Sequence, residues 1–365
     1  MRVLVAPDKF AGTLTAGEAA EAIATGWKRQ APSDVISTLA MSDGGPGFID
    51  VLHRALGGDL KPATVRGSLG DRTAVTVLHV GDTAYVESAQ ACGQRGDAWT
   101  TSTVGVGQAI TAALDAGAKT IVVGLGGSGT NDGGAGLLSA LGATADVALD
   151  AGPRQLAGVT HVDLSSALER MGSARLVAAA DVDVPLLGMF GATRTFGPQK
   201  GLSDEDVPIV DRLLDEFVNA TCGREPADRR VAETPGAGAA GGLGFALLLL
   251  GAELRRGVDV VAELVGLADA CGTNDLVITG EGTFDHTSRA GKTVHGVASI
   301  ATAAARPCIV LAGQVTVGTR EQRAMGVDGA YSVADTVGLA AAFEEPSAAL
   351  AALAERVART WSRAR

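Results

Sequence analysis

The residues best suited to chemistry stand where the chain leaves a short apolar run. Asp8 and Lys9 follow Val3–Ala6, and Asp43 follows Val35–Leu39 in Ser42-Asp-Gly-Gly45. Asp181 and Asp183 follow Val177–Ala180; Glu281 and Asp285 follow Asp275–Thr279 in Gly280-Glu-Gly-Thr-Phe-Asp285. Lys292 lies next to Thr293 in Arg289-Ala-Gly-Lys-Thr293, which is half of a phosphate-binding P-loop, because His286 occupies the place of its first glycine. Carboxylates of this kind accept a hydroxyl proton or hold a hard cation such as Mg²⁺, and lysines neutralise phosphate oxygens. In open α/β sheets, ligands gather beyond the carboxyl ends of strands, which places Asp8 and Lys9 for chemistry. A solvated pair in a turn would have the same sequence. If the strand before them persists, alternation puts Asp181 and Asp183 on one face as a Mg²⁺ or base site; an ordinary solvated turn is the competing reading.

A second chemical feature is Gly124-Leu-Gly-Gly-Ser-Gly-Thr-Asn-Asp-Gly-Gly-Ala-Gly136, between the strand-like Lys119–Val123 and the helix-like Leu137–Leu141. Glycines let backbone N–H groups approach a ligand, and a helix N-terminus favours an anion. Gly126, Gly127, Ser128, Thr130, Asn131 and Asp132 are therefore candidates to hold phosphate or carboxylate. Asn131 and Asp132 are also candidates to cap the helix, as in a tight turn that binds nothing. Gly124, Gly126 and Gly129 satisfy the dinucleotide spacing G-x-G-x-x-G, as do Gly236, Gly238 and Gly241. Two hits in a chain with 50 glycines show how little that pattern discriminates. Lys200, between Gln199 and Gly201, reads as an exposed loop lysine able to face an anion.

These residues need a frame, and 365 residues supply enough chain for two domains. The texture from 1 to 60 is strand, Gly-rich turn, helix, repeated, and it returns after residue 255. Thr15-x-x-Glu18 is a capping box opening a helix to about Arg29. Lys61–Arg66, Arg72–Val80 and Thr83–Glu87, joined by Gly-Asp turns, read as an antiparallel meander. Ala239–Gly251 reads as a buried helix, apolar nearly all round. The expected organisation is one α/β domain from residues 1–60 and 255–365, with a mixed α/β domain, 61–254, inserted. A net charge of −11 argues against nucleic acid or an anionic membrane as partner. No apolar run approaches the ~20 residues that span a bilayer, and no signal-peptide pattern opens the chain. Four scattered cysteines with no C-x-x-C argue against zinc or a disulfide framework. The expectation is a cytoplasmic protein.

Taken in series, Ala6-Pro-Asp-Lys-Phe10, Ser42-Asp-Gly-Gly45, Glu87-Ser-Ala89, the Gly124–Gly136 run, Asp181-Val-Asp-Val-Pro-Leu-Leu-Gly188, Phe196-Gly-Pro-Gln-Lys-Gly201, Pro235–Gly244 and Thr279-Gly-Glu-Gly282 resemble the type I bacterial glycerate kinase family. The resemblance runs the length of the chain in the same order. It implies ATP-dependent, Mg²⁺-assisted phosphorylation of D-glycerate, usually at the 2-hydroxyl. It implies two domains: a flavodoxin-like parallel-sheet domain formed by both chain ends and an inserted mixed-sheet domain of restriction-enzyme-like α/β type. Where the family has Arg, Gln and His in its Gly-Glu-Gly-Arg-Ile-Asp-x-Gln-Thr-x-His-Gly-Lys segment, this chain has Thr283, Thr287 and Ala290. Ala11 and Pro46-Gly-Phe48 depart as well. The departures leave phosphoryl transfer better supported than glycerate as acceptor.

The resulting assignment makes Asp8, Lys9, Asp43, Asp285 and Lys292 catalytic. It gives Gly126, Gly127, Ser128, Thr130, Asn131, Asp132, Lys200 and Arg289 to substrate or nucleotide binding, and Asp181, Asp183 and Glu281 to Mg²⁺. A small hydroxy acid and ATP are the expected partners, and a homodimer is an open expectation. Two alternatives remain: an NAD-dependent oxidoreductase using Gly124–Gly129, and a ligand-binding family member that has lost catalysis.

Overall fold

The structure, a computed structural model, describes residues 1–93, 96–289 and 292–362, apart from the side chains of Thr287, Arg289 and Ala341. The chain divides into two compact units. One comprises Met1–Asp43, Asp50–Leu56 and Val258–Arg365; the other comprises Gly44–Ile49 and Gly57–Gly257.

The first unit is built on five parallel strands in the spatial order Gly329–Ser332, Cys308–Ala312, Leu276–Thr279, Arg2–Val5, Val35–Thr38. Numbered along the unit's chain and read from the opposite edge, the order is 2-1-3-4-5, the flavodoxin-like winding. Leu-Val-Ile-Thr and Cys-Ile-Val-Leu-Ala are apolar without alternation because both sheet faces are covered. Val3, Val5, Leu276, Ile278, Ile309 and Leu311 form one cluster with Ile23 and Trp27 of the helix Ala16–Gln30 and Leu350 and Leu353 of the helix Pro346–Trp361. Their sheet neighbours Leu4, Val277 and Val310 are buried as well. The capping box at Thr15 is present: its hydroxyl accepts from the Glu18 N–H while Glu18 accepts from the Thr15 N–H.

The consequence for chemistry lies between Arg2–Val5 and Leu276–Thr279. From the first strand the chain moves to one side of the sheet, and it later returns to the other. A crevice therefore opens where both strands end. Pairing continues a little past both ends, with the Ala6 N–H on the Ile278 carbonyl and the Asp8 N–H on the Gly280 carbonyl, at 2.7 and 2.8 Å. Asp8-Lys9 and Gly280-Glu281 are thereby delivered side by side.

The second unit carries a six-stranded mixed sheet in the order Glu253–Arg255, Arg175–Ala179, Thr120–Gly124, Thr83–Glu87, Arg72–Val80, Asp59–Arg66. The first four run parallel to one another, and the fourth also begins the antiparallel meander with the last two, read from the Gly-Asp turns. The short segment Gly44–Ile49 belongs to this unit, although its strand-turn-helix texture suggested the other. Glu87 accepts hydrogen bonds from the Gly47 and Ile49 N–H groups, and the Gly44 carbonyl accepts from Gly126 N–H.

Two local expectations are corrected. The strand before Asp181 ends at Ala179, so alternation no longer relates Asp181 to Asp183; Asp183 is exposed and Asp181 half-buried. The helix expected over 239–251 is shorter, Leu243–Leu249. The preceding 3-10 turn is kinked at Ala240, and Gly241 and Gly242 adopt φ +68° and +100°, which no continuing helix allows. Among the described residues, no helix is long and apolar enough to cross a membrane.

Candidate active site

Asp8 is the best-defined group of the first unit's crevice. It is 8% exposed, deeper than a turn carboxylate sits. Its Oδ1 accepts the Lys9 backbone N–H at 2.7 Å and its Oδ2 accepts the Thr293 hydroxyl at 2.6 Å. Thr293 is the first residue of the helix Thr293–Ala303, which brings the end of the Gly-Lys-Thr segment onto the first strand's carboxylate. Lys9 Nζ lies 3.1 Å from Asp43 Oδ1 and 3.7 Å from Asp8 Oδ1. Burial pushes Asp8 up from 3.8 to about 6; the Lys9 charge opposes this, Asp43 adds to it, and the two hydrogen bonds resist it.

Glu281 is perturbed in the same sense. Burial raises it to about 7, against the Ser288 hydroxyl bond and the Lys292 charge, while Asp8 and Asp285 push it further up. Ser288 is fully buried, donates to Glu281 Oε1 at 2.6 Å and accepts from the Asp285 N–H at 3.3 Å. It therefore locks the loop after the third strand onto the carboxylate it presents. Asp8, Lys9, Asp43, Glu281, Asp285 and Lys292 all line one pocket of about 330 Å³. A cleft of that size suits a small substrate or part of a nucleotide. Two carboxylates that bind protons near neutrality, beside two lysines, suit removal of a hydroxyl proton and compensation of phosphate charge.

Thr293 and Ser288 were missed from sequence. The first had a signal, since the threonine closing a Gly-Lys-Thr segment commonly faces the phosphate site. The second had none, because its acceptor is seven residues upstream across an irregular loop. The Arg289 side chain, Ala290 and Gly291 lie outside the described residues.

The glycine-dense loop of the second unit is largely committed to its own protein. A Cβ on Gly126 would lie 2.6 Å from the Gly45 Cα, and one on Gly124 would lie 2.4 Å from the Gly44 carbonyl oxygen. These glycines admit the neighbouring chain. Thr130, Asn131 and Asp132 are fully buried. Asp132 Oδ2 accepts the Thr103 N–H at 2.8 Å, the Thr103 hydroxyl at 2.9 Å and the Gly136 N–H at 3.3 Å, and Oδ1 accepts Gly134 N–H at 3.0 Å. Burial raises the carboxyl of Asp132, and these bonds to Thr103, Gly134 and Gly136 hold it down. Asp132 thus ties the start of the helix Ala135–Ala140 to the preceding layer. Asn131 Nδ2 donates to the Thr193 hydroxyl at 2.9 Å. The helix begins only at Ala135, beyond Asn131-Asp132-Gly133-Gly134, so the close strand-to-helix turn that a dinucleotide pyrophosphate needs is absent from this loop.

Lys200 is corrected too. It is 4% exposed, donating from Nζ to the Thr130 carbonyl at 2.7 Å and to Ser128 Oγ at 3.2 Å. The 3-10 turn Pro198–Lys200, closed by Gly201 in the left-handed region, folds it inward. Gly127 remains exposed and Ser128 half-buried.

The donors available to Mg²⁺ are hard oxygens. In the pocket they are the carboxylates of Asp8, Asp43, Glu281 and Asp285. Among the described residues no three histidine, cysteine or carboxylate groups are arranged to hold a metal by themselves. This suits Mg²⁺, which commonly takes one or two carboxylates and completes its shell with water and phosphate oxygens. Glu281 and Asp285 fit that use; Asp181 and Asp183 lie in irregular backbone past the strand end, where alternation no longer sets their faces.

Residues 3–362 match the Glycerate kinase family. The chain is 36% identical to the glycerate 2-kinase of Escherichia coli K12 over 93% of its own length and 92% of that protein. It is 38% identical to the glycerate kinase of Bacillus subtilis 168, over 91% of its length and 90% of that protein. A crystal structure from Salmonella typhimurium LT2, of a protein provisionally named glycerate kinase 2, superposes with a TM-score of 0.81 at 35% identity, covering 99% of this chain and 98% of that one. With the family profile spanning almost the whole sequence and relatives matching end to end, the chain belongs to the glycerate kinase family.

Proposed function

We propose that the protein transfers the γ-phosphoryl group of ATP to the 2-hydroxyl of glycerate or a closely related small hydroxy acid. The observation that carries this reading is Asp8, buried between Thr293 and Lys9 at the sheet's switch point and sharing its pocket with Glu281 and Lys292. Asp8 takes the proton of the acceptor hydroxyl as the new O–P bond forms, and ADP leaves as the bond from the γ-phosphorus to its bridging oxygen breaks. Thr293 and the Lys9 N–H aim the carboxylate, and the side chains of Lys9 and Lys292 offset charge on the phosphoryl oxygens. Asp43 holds Lys9 in place. When bound, Mg²⁺ supplies further charge neutralisation, and Glu281 with Asp285 are the residues to hold it. In the second unit, Gly127 and Ser128 are the part of the glycine loop left to meet an anion, and Lys200 positions Ser128 from behind.

Pairing with relatives named glycerate kinase and glycerate 2-kinase supports the acceptor, and Thr283 in the pocket lining is the reason to widen it. The test is ADP release with ATP, Mg²⁺ and D-glycerate, repeated with a panel of short hydroxy acids. Turnover with D-glycerate or one neighbour in the panel is expected. ATP left intact with every acceptor would refute the reading.

A further inference from the structure

The pocket that holds Asp8 also has lining of a different chemistry. Besides the carboxylates and lysines it is lined by Val333, Leu339, Ala342, Phe343, Pro346 and Leu350. Val333 and Leu350 are buried at 3% and 1%, but Leu339 is 51% and Phe343 63% exposed. Leu339 and Phe343 stand four residues apart on the helix Leu339–Glu344, so they share one face, with Ala342 between them. A phenyl ring and a leucine held open to solvent on one helix face beside this pocket cost free energy, and an apolar ligand would explain them. Glycerate, with a carboxylate and two hydroxyls on three carbons, has no apolar face to offer. The phosphoryl donor has one, its base.

We propose that this shelf seats the purine of the donor nucleotide, stacked on Phe343 against Leu339, with the triphosphate directed toward Lys9 and Lys292. The proposal rests on the kinase reading above and adds to it which part of the pocket lining meets the base and which side chains recognise it. Gly282 and Gly313 line the pocket without side chains and leave room for a ligand, and the Gly313 and Gln314 N–H groups are tied to the Glu281 and Gly282 carbonyls at 3.2 and 3.0 Å. Gln314 brings to the lining the only side-chain amide among the described residues, a donor and an acceptor suited to a base edge.

The test measures binding directly, by calorimetry, with Mg²⁺-ADP and separately with Mg²⁺-pyrophosphate, which has phosphates and no base. Wild type, Phe343→Ala, Leu339→Ala and Phe343→Trp are compared after thermal melts have matched their folds. Base stacking on an aromatic ring predicts that Phe343→Ala weakens ADP binding about 5- to 30-fold. It should leave pyrophosphate binding within about twofold, while Phe343→Trp keeps ADP affinity. Leu339→Ala should act in the same direction more weakly, and serves alone if Phe343→Ala melts early. In turnover, KM for ATP should rise with KM for the acceptor unchanged. Unchanged ADP affinity in both alanine variants, or equal weakening of ADP and pyrophosphate, overturns the placement while the kinase reading stands. A wild-type protein that binds neither probe and releases no ADP overturns both.

Discussion

Replacing Asp8 with Asn gives a prediction whose size follows from the site. Its geometry is nearly preserved: the amide oxygen can still accept the Lys9 N–H, and the amide nitrogen can donate to the Thr293 hydroxyl, which rotates to accept. What disappears is a buried charge. Below pH 3.8 the folded and unfolded chains both hold the proton, and Asp8 costs nothing. Between 3.8 and about 6 only the folded chain holds it, so stability falls as pH rises, and above that the loss is complete. At 1.36 kcal/mol per pH unit the full loss is about 3 kcal/mol. Linkage places about 1.4 kcal/mol of it between pH 5 and pH 8. Asp8 also raises Glu281, so removing its charge changes the Glu281 contribution in the same sense. The assay is urea denaturation of both proteins across that pH range, followed by circular dichroism and by tryptophan fluorescence, to which the buried Trp27 of this unit contributes. Whatever offset the substitution brings at one pH, Asp8→Asn should gain on wild type by about that amount as pH rises. Its turnover should fall about 10²- to 10⁴-fold, the range of a lost general base. Parallel stability curves would show that no charge is being held against burial, and near-normal turnover would remove Asp8 from the chemistry.

Four further outcomes follow from the same geometry. Thr293→Val deletes the 2.6 Å donor to Asp8, so the acid limb of kcat/KM, expected near pH 6 in wild type, should move to higher pH; a fixed limb in the pH-rate profile would count against Asp8 as its origin. Lys292→Met should lower kcat about 100-fold or more with an unchanged melting temperature, because its pocket position serves charge compensation; wild-type turnover in a steady-state assay would exclude it. Asp132→Ala strands buried donors at Thr103, Gly134 and Gly136, and should cost about 3 kcal/mol or more; an unaltered melting temperature would show that the loop is held otherwise. Lys200→Met leaves the Thr130 carbonyl without its 2.7 Å donor and should cost about 1–3 kcal/mol. A melt like wild type would return Lys200 to the set of direct ligand contacts.

Much of the first unit was legible from sequence because its signals are local. Apolar runs ending in Pro-Asp-Lys or Gly-Glu-Gly mark buried parallel strands, and Thr15-x-x-Glu18 fixes where a helix begins. The candidates Asp8, Lys9, Asp43, Glu281, Asp285 and Lys292 meet in one pocket because the winding rule brings the first and third strands of that sheet side by side. What was hidden depends on partners far along the chain. Lys200 looks like a loop lysine until Ser128 and Thr130 are placed against it, and nothing near residue 200 announces them. Asp132 looks like a ligand until Thr103 takes it. Gly126 looks like a cradle until Gly45 occupies the space. The alternation argument for Asp181 and Asp183 falls away for a smaller reason: it extrapolated past the end of a strand whose last paired residue is Ala179.

The most direct measurement is the ³¹P NMR spectrum of the product from ATP, Mg²⁺ and D-glycerate. Transfer to the 2-hydroxyl predicts a growing phosphomonoester resonance split into a doublet by the single proton on that carbon, matched by the conversion of ATP to ADP. A triplet, from transfer to the CH2 carbon of the 3-hydroxyl, would contradict the predicted position, and persistence of ATP with no phosphomonoester from D-glycerate or any hydroxy acid of the panel would contradict the account at its centre.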